Sequence, residues 1–286
     1  MLVTMLLWQA GASPAVTTRT GRFQSPRVTE SSGVAVSRAH PGTLWTHNDS
    51  GDGPYLYATD LRGRDLGFVR LSGARAADWE DIALGPCPER RVDCLYVGDT
   101  GDNSERRSTV VVYAVPEPLP LRTAADTQRV TAAAAALTLR YPDGPHDVEA
   151  LYVSPRDTAV YLVTKGRGKA IQLYRAGRAA WRAHRTVTAE LVQTLPIVPD
   201  QRSGRRVTGA AIRSDGRLVA IRTYTAIYFF TPGPGGRLTP RGPVCALDRR
   251  GQLGEAIDFQ DDSTLVLTSE ADPLGSGTIE TARCPR

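Results

Sequence analysis

The sequence predicts an all-β chain folded as a five-bladed β-propeller. Short runs of β-branched and aromatic residues alternate with Gly, Pro, Asp and Asn over most of its 286 residues, which is typical of strands separated by turns. A similar unit of roughly 40–70 residues also recurs five times. Radially repeated antiparallel sheets of this kind are typical of propellers.

Each unit contains three recognisable strands. The first is short and apolar, and in most units an acidic residue precedes it: ESSGVAVS, DWEDIALG, DVEALYVSP, VTGAAIRSDG and GEAIDFQDD. The second is an apolar strand whose fifth residue is polar: LWTHN, LYVGD, YLVTK, LVAIR and LVLTS. A third strand follows: YLYATD, TVVVYAV, AIQLYRA, AIYFFTP and GTIETARC. Each unit has room for a fourth strand, as a propeller blade requires.

The last unit lacks a fourth strand of its own. Residues 16–24 can supply it and so close the ring with an N-terminal strand, and closure removes exposed sheet edges. The alternative is a six-bladed ring, with a degenerate blade hidden in residues 116–141.

We expect one propeller domain over residues 13–286, preceded by a signal peptide at residues 1–12. Leu2 to Trp8 is apolar apart from Thr4, and a small-residue cleavage pattern, Ala10-Gly11-Ala12, follows. No stretch approaches the roughly 20 apolar residues of a membrane span. The net charge of +5 comes from scattered arginines, which argues against nucleic-acid binding. We therefore predict a secreted, extracellular monomer.

Four cysteines favour two disulfides in such a protein. Cys87 and Cys94 flank a hairpin-like loop and can bridge it, which leaves Cys245 to pair with Cys284. A zinc site is disfavoured because no C-x-x-C spacing occurs.

Two acidic turns, NDSGDG and GDTGDN, follow second strands. We expect Gly51 and Gly101 to supply the positive φ of a tight turn. The first Asp of each turn, Asp49 or Asp99, should point toward the ring. The second, Asp52 or Asp102, should cap the backbone of the turn.

The innermost strands line the channel of a propeller, so the acids at their starts should collect at one mouth. Residues two apart on a strand share a face, which pairs Asp78 with Glu80 and Asp147 with Glu149. Hard oxygen ligands favour Ca²⁺ over zinc or copper. We predict a divalent-cation site with these ligands: Glu30, Asp78, Glu80, Asp147, Glu149 and Glu255.

The remaining candidates surround that set. Possible catalytic groups are Glu80, Glu149, Lys165, Arg222, His47 and His146. Lys165 and Arg222 would orient an anionic or carbonyl oxygen of the substrate. Possible substrate-binding groups are Asn48, Asp49, Asp99 and Ser269. The alternative is structural: the acids would bind backbone amides and fix the blade angles, with Lys165 and Arg222 as their ion-pair partners.

The strings ESSGVAVSRAHPGTLWTHNDSG, DWEDIA, LYVGDTGDN, HDVEALYV and GEAI resemble a family of uncharacterised secreted propellers common in actinobacteria. The chain is more loosely similar to phytase-like esterase and gluconolactonase-like propellers. The close resemblance implies the fold alone. The looser one implies a channel Ca²⁺ ion and metal-dependent hydrolysis of esters or lactones. The paired-Asp signature of propeller phytases is missing, which puts phosphate esters in doubt.

Two functions remain open at this point. The first is a cation-dependent hydrolase acting on a small ester, lactone or glycosidic substrate. The second is a non-catalytic extracellular module that recognises a small molecule or a glycan.

Overall fold

The computed structural model describes residues 11–119, 129–167, 170–200, 204–248, 254–271 and 275–285. These residues form strands, two 3-10 helices (Arg178–Arg182 and Pro234–Gly236) and no α-helix. In the same part of the chain, no helix is long and apolar enough to cross a membrane. The predicted signal peptide falls mainly on residues 1–10, which lie outside the described residues.

The strands form five sheets, and each sheet is one blade. Blade 1 contains β3 (Ser31–Val36), β4 (Leu44–Asn48), β5 (Tyr55–Thr59), β6 (Phe68–Ser72) and the parallel outer strand β10 (Arg129–Ala133). Blade 2 contains β7 (Trp79–Pro86), β8 (Asp93–Asp99), β9 (Val110–Pro116), β11 (Ala135–Arg140) and β15 (Val187–Thr188). Blade 3 contains β12 (Val148–Val153), β13 (Val160–Thr164), β14 (Gln172–Ala176) and β16 (Glu190–Thr194).

Blades 4 and 5 share the N-terminal segment. Blade 4 contains β17 (Val207–Ile212), β18 (Val219–Thr223), β19 (Ala226–Pro232), β20 (Leu238–Pro240), β21 (Cys245–Ala246) and the N-terminal β1 (Ser13–Pro14). Blade 5 contains β22 (Gly254–Phe259), β23 (Leu265–Ser269), β24 (Thr278–Arg283) and β2 (Val16–Arg22). β2 pairs antiparallel with β24, which confirms the predicted closure by an N-terminal strand.

The ring has five blades, as predicted. The inner strands pack side by side in the order β3, β7, β12, β17 and β22, and β22 packs back against β3. The six-bladed alternative is wrong. Residues 116–141 form no blade in their described part, because β10 extends blade 1 and β11 extends blade 2.

Apolar side chains fill the wedges between neighbouring blades. Trp45 and Trp79 lie between blades 1 and 2, and Tyr96 and Trp181 lie between blades 2 and 3. Burial of such large rings supplies much of the driving force for packing sheets face to face.

Both predicted disulfides are present. Cys87 and Cys94 join the ends of β7 and β8, with Cα atoms 4.9 Å apart. Cys245 and Cys284, with Cα atoms 5.6 Å apart, join β21 of blade 4 to the chain just after β24 of blade 5. The second bridge therefore links two blades across the segment that closes the ring.

Candidate cation site at the channel mouth

Each inner strand carries a β-bulge near its start. In blade 2, Trp79 pairs with Asp99 and Asp81 pairs with Gly98, so Glu80 has no partner on β8. The pairing of the other inner strands is interrupted at the same place, where the unpaired residues are Ser32, Glu149, Thr208 and, in blade 5, Glu255 with Ala256. A bulge redirects the side chain of the extra residue. One buried bulge residue from each blade thus lies at the same level of the channel.

A second tier of side chains follows the second strand of each blade. The amides of Asp49, Thr100 and Lys165 donate to the carbonyls of Glu30, Asp78 and Asp147, respectively, which makes these three positions equivalent. Strand register puts Tyr224 and Glu270 at the same position in blades 4 and 5.

The two acidic turns are equivalent with an offset of one residue. Asn48 Oδ1 accepts the amides of Thr29 and Glu30, both at 3.0 Å. The carboxylate of Asp99 accepts the amides of Ala77 and Asp78, just before β7, both at 3.2 Å. It also accepts a hydrogen bond from Arg107 Nη2 at 2.8 Å. The counterpart of Asp99 is therefore Asn48 and not Asp49. The expectation that Asp99 points toward the ring is wrong, because its carboxylate is held by backbone amides and Arg107.

The glycines of the two turns have different roles. Gly51 has φ +91°, as predicted. Gly101 is not in the left-handed region, so that expectation is wrong. A Cβ at Gly101 would lie 2.0 Å from Glu80 Oε1 and 2.5 Å from Asp78 Oδ2. Gly101 is needed there because two carboxylates pack against its backbone. The predicted caps are present, since Asp52 accepts the amide of Gly53 at 2.7 Å and Asp102 that of Arg107 at 2.6 Å.

Asp49, Asp78 and Glu80 form a set that we call the open triad. They offer oxygens that all lie within 4.8 Å of one another. Glu80 is only 3% exposed, yet its carboxylate forms no hydrogen bond or ion pair with any described residue. Burial, with Asp49 and Asp147 adding repulsion, raises the pKa of Asp78 to about 6. Burial and then Glu149 raise the pKa of Glu80 well above its usual range. This arrangement is electrostatically unfavourable without a cation.

Glu80, Asp147 and Glu149 form a second set, the paired triad, within the same distance limit. Here the protein provides its own cations: Lys165 Nζ donates to Glu149 Oε1, and Arg167 Nε donates to Asp147 Oδ2. Burial disfavours the charge of Lys165, but the Glu149 carboxylate outweighs it and holds the pKa of Lys165 above its ordinary value. Two of the three carboxylates of the paired triad, Asp147 and Glu149, therefore have a positive partner within the protein.

The opposite wall of the channel, from blades 4 and 5, also contains unsatisfied groups. Glu255 is 6% exposed and has no partner among the described residues. Burial and then Glu270 raise the pKa of Glu255 to about 7. Thr208 Oγ1 is buried without a hydrogen bond. Three of the five bulge residues, Glu80, Thr208 and Glu255, thus present unpaired polar atoms to the channel.

Arg222 lies behind this wall, between blades 4 and 5. Its Nη1 donates to the carbonyls of Ala256 and Thr268, the latter at 2.9 Å, while its Nε is buried without a partner. Burial lowers the pKa of Arg222 to about 10. Lys165 and Arg222 thus both donate to protein groups.

The other predicted site residues lie around the triads. Glu30 is exposed, and its backbone bridges Glu270. His47 is fully buried against Trp79, and burial lowers its pKa. His146 Nε2 lies 2.8 Å from Tyr174 Oη and 3.1 Å from Asp143 Oδ1.

The side-chain atoms of Asn48 and Ser269 are engaged with neighbouring groups. The structure does not bring His47, His146, Asn48 or Ser269 into either triad.

Two carboxylates that the sequence did not single out hold the inner strands together. Asp81 Oδ2 accepts the amides of Leu151, at 2.9 Å, and Ala210, at 3.2 Å, and so links blades 2, 3 and 4. Asp258 Oδ2 accepts the amide of Val36 at 2.7 Å and links blade 5 to blade 1. Tyr224, which lies in the tier that follows the second strands, was also missed. A signal exists for Asp81 alone, because small residues, Gly33, Ala150 and Gly209, occupy its position in blades 1, 3 and 4.

No protein-family model matches the sequence, and no curated protein matches it either. Solved structures match over most of the chain. An aldose sugar dehydrogenase from Streptomyces coelicolor, in its PQQ-bound form, is 11% identical over 96% of this chain and 100% of its own, with a TM-score of 0.54. A nidogen/laminin complex is 11% identical over 85% and 73%, with a TM-score of 0.50. A gluconolactonase from Xanthomonas campestris is 13% identical over 96% and 92%, with a TM-score of 0.44. At these identities the first two matches show a shared propeller fold and nothing more.

Proposed function

We propose that this protein binds one divalent cation, Ca²⁺ being the best match, through Asp49, Asp78 and Glu80 of the open triad. The observation that carries this proposal is the Glu80 carboxylate, which is buried and has no hydrogen-bond or ion-pair partner among the described residues. Buried charges in proteins are normally paired or bound to a metal, and carboxylate oxygens are the ligands that Ca²⁺ prefers. The close approach of Glu80 and Asp78 to Gly101 also fits a preformed cradle of oxygens.

The charge balance of the two triads also supports a cation at the open triad. Two like charges about 4 Å apart repel by roughly 4 kcal/mol at intermediate dielectric, and no Lys or Arg is paired with the open triad among the described residues. In the paired triad, Lys165 and Arg167 already supply two positive charges. A divalent cation should therefore gain more electrostatic stabilisation at the open triad, where no described Lys or Arg balances the carboxylates.

Thermal unfolding in EDTA, Ca²⁺ and Mg²⁺ tests the proposal. At 100 times its dissociation constant, Ca²⁺ should add about 2.7 kcal/mol to the free energy of unfolding, a rise of roughly 5–10 °C in Tm. Glu80→Gln should abolish this rise and should raise Tm in EDTA, because it removes a buried, repelled charge. The matched control is Glu190→Gln, on the exposed outer strand of blade 3, which should leave both values unchanged. Equal Ca²⁺ responses in the wild type and Glu80→Gln would refute the site.

We further propose that the cation serves hydrolysis of a small ester, lactone or glycosidic substrate. The ion, when bound, would polarise the reacting oxygen. Glu255 supplies a carboxyl that has no hydrogen-bond or ion-pair partner in the described part of the chain and a pKa of about 7, which suits a general acid or base at neutral pH. Because Lys165 and Arg222 are engaged, the groups left to hold substrate are mainly acceptors. A neutral, hydroxyl-bearing substrate fits them better than an anionic one.

Glu255→Gln tests the hydrolytic role. In a screen of neutral esters and lactones with Ca²⁺ present, the substitution should lower kcat by roughly 10²–10⁴-fold and leave Ca²⁺ binding intact. An unchanged kcat would remove Glu255 from the reaction.

The second candidate is a non-catalytic extracellular module whose ion is structural. The paired triad favours it, since Asp147 and Glu149 are fully engaged by Arg167 and Lys165. A Ca²⁺-dependent Tm with no turnover of any ester, lactone or glycoside would support this module. We also propose that the protein is secreted, because two disulfides are typical of extracellular proteins. Both candidate functions are compatible with that location.

A further inference from the structure

The wedge between blades 4 and 5 is packed differently from the other four. Each of the others buries at least two aromatic rings, such as Phe23 and Tyr57 between blades 5 and 1, or Tyr152 and Phe230 between blades 3 and 4. In the part of the chain that the structure describes, the fully buried core between blades 4 and 5 contains no aromatic residue, and four of its members, Ala211, Ala220, Cys245 and Ala282, are small. Phe229 and Phe259 pack against this core but are only partly buried.

The space that remains is a cleft of about 180 Å³. Its apolar walls include Phe229, Phe259, Leu218 and Leu265, and both Phe side chains are only half-buried. The cleft lies at the ends of β22 and β23 away from the channel mouth, so it is separate from the triads. Cavities of roughly 150 Å³ with apolar walls admit a benzene ring. The volume and walls thus match one aromatic ring.

Two arginines, Arg213 and Arg241, lie at the cleft, and they differ in whether an acidic side chain pairs with them. Arg213 is paired with Asp215, with Nη2 and Oδ2 2.7 Å apart, and lies 3.8 Å from Asp262. Arg241 is exposed, and its side chain forms no hydrogen bond or ion pair with any described residue. Arg241 is therefore the cation available to a ligand in this part of the chain.

We propose that this cleft is a binding site for a small aromatic carboxylate. The ring lies against Phe229 and Phe259, the two partly buried aromatic side chains of this wedge. The carboxylate pairs with the guanidinium of Arg241. The Cys245–Cys284 bridge holds blades 4 and 5 together at this wedge, so the fold does not depend on the ligand.

Titration of the ¹⁵N-labelled protein with phenylacetate, followed by amide chemical shifts, tests the site. The amides of Leu218, Phe229 and Gly242 should shift and saturate with a Kd on the order of 1 mM. Phenylacetamide, which has the same ring without the charge, should bind roughly threefold more weakly, the factor expected for a partly exposed ion pair. Acetate should cause no saturable shift, and EDTA should change none of these results.

Two variants complete the test. Arg241→Gln, an exposed change, should make phenylacetate bind as weakly as phenylacetamide. Leu218→Trp should fill the cleft and abolish binding of both compounds. No saturable shift at these amides in the wild type would overturn the proposal, and so would equal affinities of phenylacetate for the wild type and Arg241→Gln.

Discussion

The two triads at the channel mouth share Glu80 and the same kind of ligand, yet they differ in how their charge is balanced. In the paired triad, Lys165 and Arg167 bind Glu149 and Asp147 directly. In the open triad, no described Lys or Arg pairs with Asp49, Asp78 or Glu80. Clustered carboxylates alone therefore do not indicate a metal site. The informative feature is a buried carboxylate without a partner.

Removal of the internal cation should have the largest effect. Lys165→Met leaves Glu149 buried and unpaired, which should cost about 3–5 kcal/mol of unfolding free energy in EDTA, measured by urea denaturation. With Ca²⁺ present, calorimetric stoichiometry should rise from one ion to two, since only Arg167 then remains to balance the three carboxylates of the paired triad. The double variant Lys165→Met/Glu149→Gln should recover most of the stability and bind one ion. A single ion in Lys165→Met would break the comparison.

The pH dependence of stability should differ with and without the ion. Asp78 and Glu255 have folded-state pKa values of about 6 and about 7, above their ordinary values of 3.8 and 4.5. Acids with raised pKa values contribute stability that is present below pH 4 and is lost as the pH rises toward 7. For the buried Glu255 the loss is about 3 kcal/mol. In EDTA, the free energy of unfolding should therefore fall more between pH 4 and pH 7 in the wild type than in Glu255→Gln.

Ca²⁺ should reduce this loss, because a bound cation favours the ionised carboxylates. Parallel pH profiles in EDTA and Ca²⁺ would contradict the assignment of the open triad as the cation site.

Gly101→Ala tests the cradle with a smaller change. The added methyl group meets Glu80 and Asp78 but needs no unusual backbone angle. The fold should persist, while displaced ligands should weaken Ca²⁺ binding by about 10–100-fold, as changes next to metal ligands do. Gly177→Ala is the control, since its Cβ would have no neighbour closer than 3.7 Å. Calorimetry that gives equal affinities for the two variants would count against the cradle.

The smallest effect is expected for Glu30→Gln. Glu30 is exposed and belongs to neither triad, so its neutralisation should change stability by less than about 0.5 kcal/mol and Ca²⁺ affinity by a similarly small amount. Loss of binding in this variant would restore Glu30 to the ligand set that the sequence predicts.

The sequence was sufficient to predict the blades, because apolar runs of strand length recur between turn residues in each of the five units. It was also sufficient for the disulfides and the N-terminal closure. It could not place the bulges, because the inner strands are buried along nearly their whole length and show no alternation whose phase an extra residue would change. That is why Asp81 was missed. Asp49 and Asp99 align by motif but differ in position, because strand register makes Asn48 the counterpart of Asp99. The pairing of Lys165 and Arg167 depends on distances between blades, which no local pattern encodes.

Anomalous diffraction from a crystal grown in Ca²⁺ is the most direct test of the cation site. We expect one peak, about 2.3–2.6 Å from oxygens of Asp49, Asp78 and Glu80. We expect no peak among Glu80, Asp147 and Glu149, where Lys165 and Arg167 supply the positive charge. A peak in the paired triad, or an ordered open triad without any peak, would contradict this expectation.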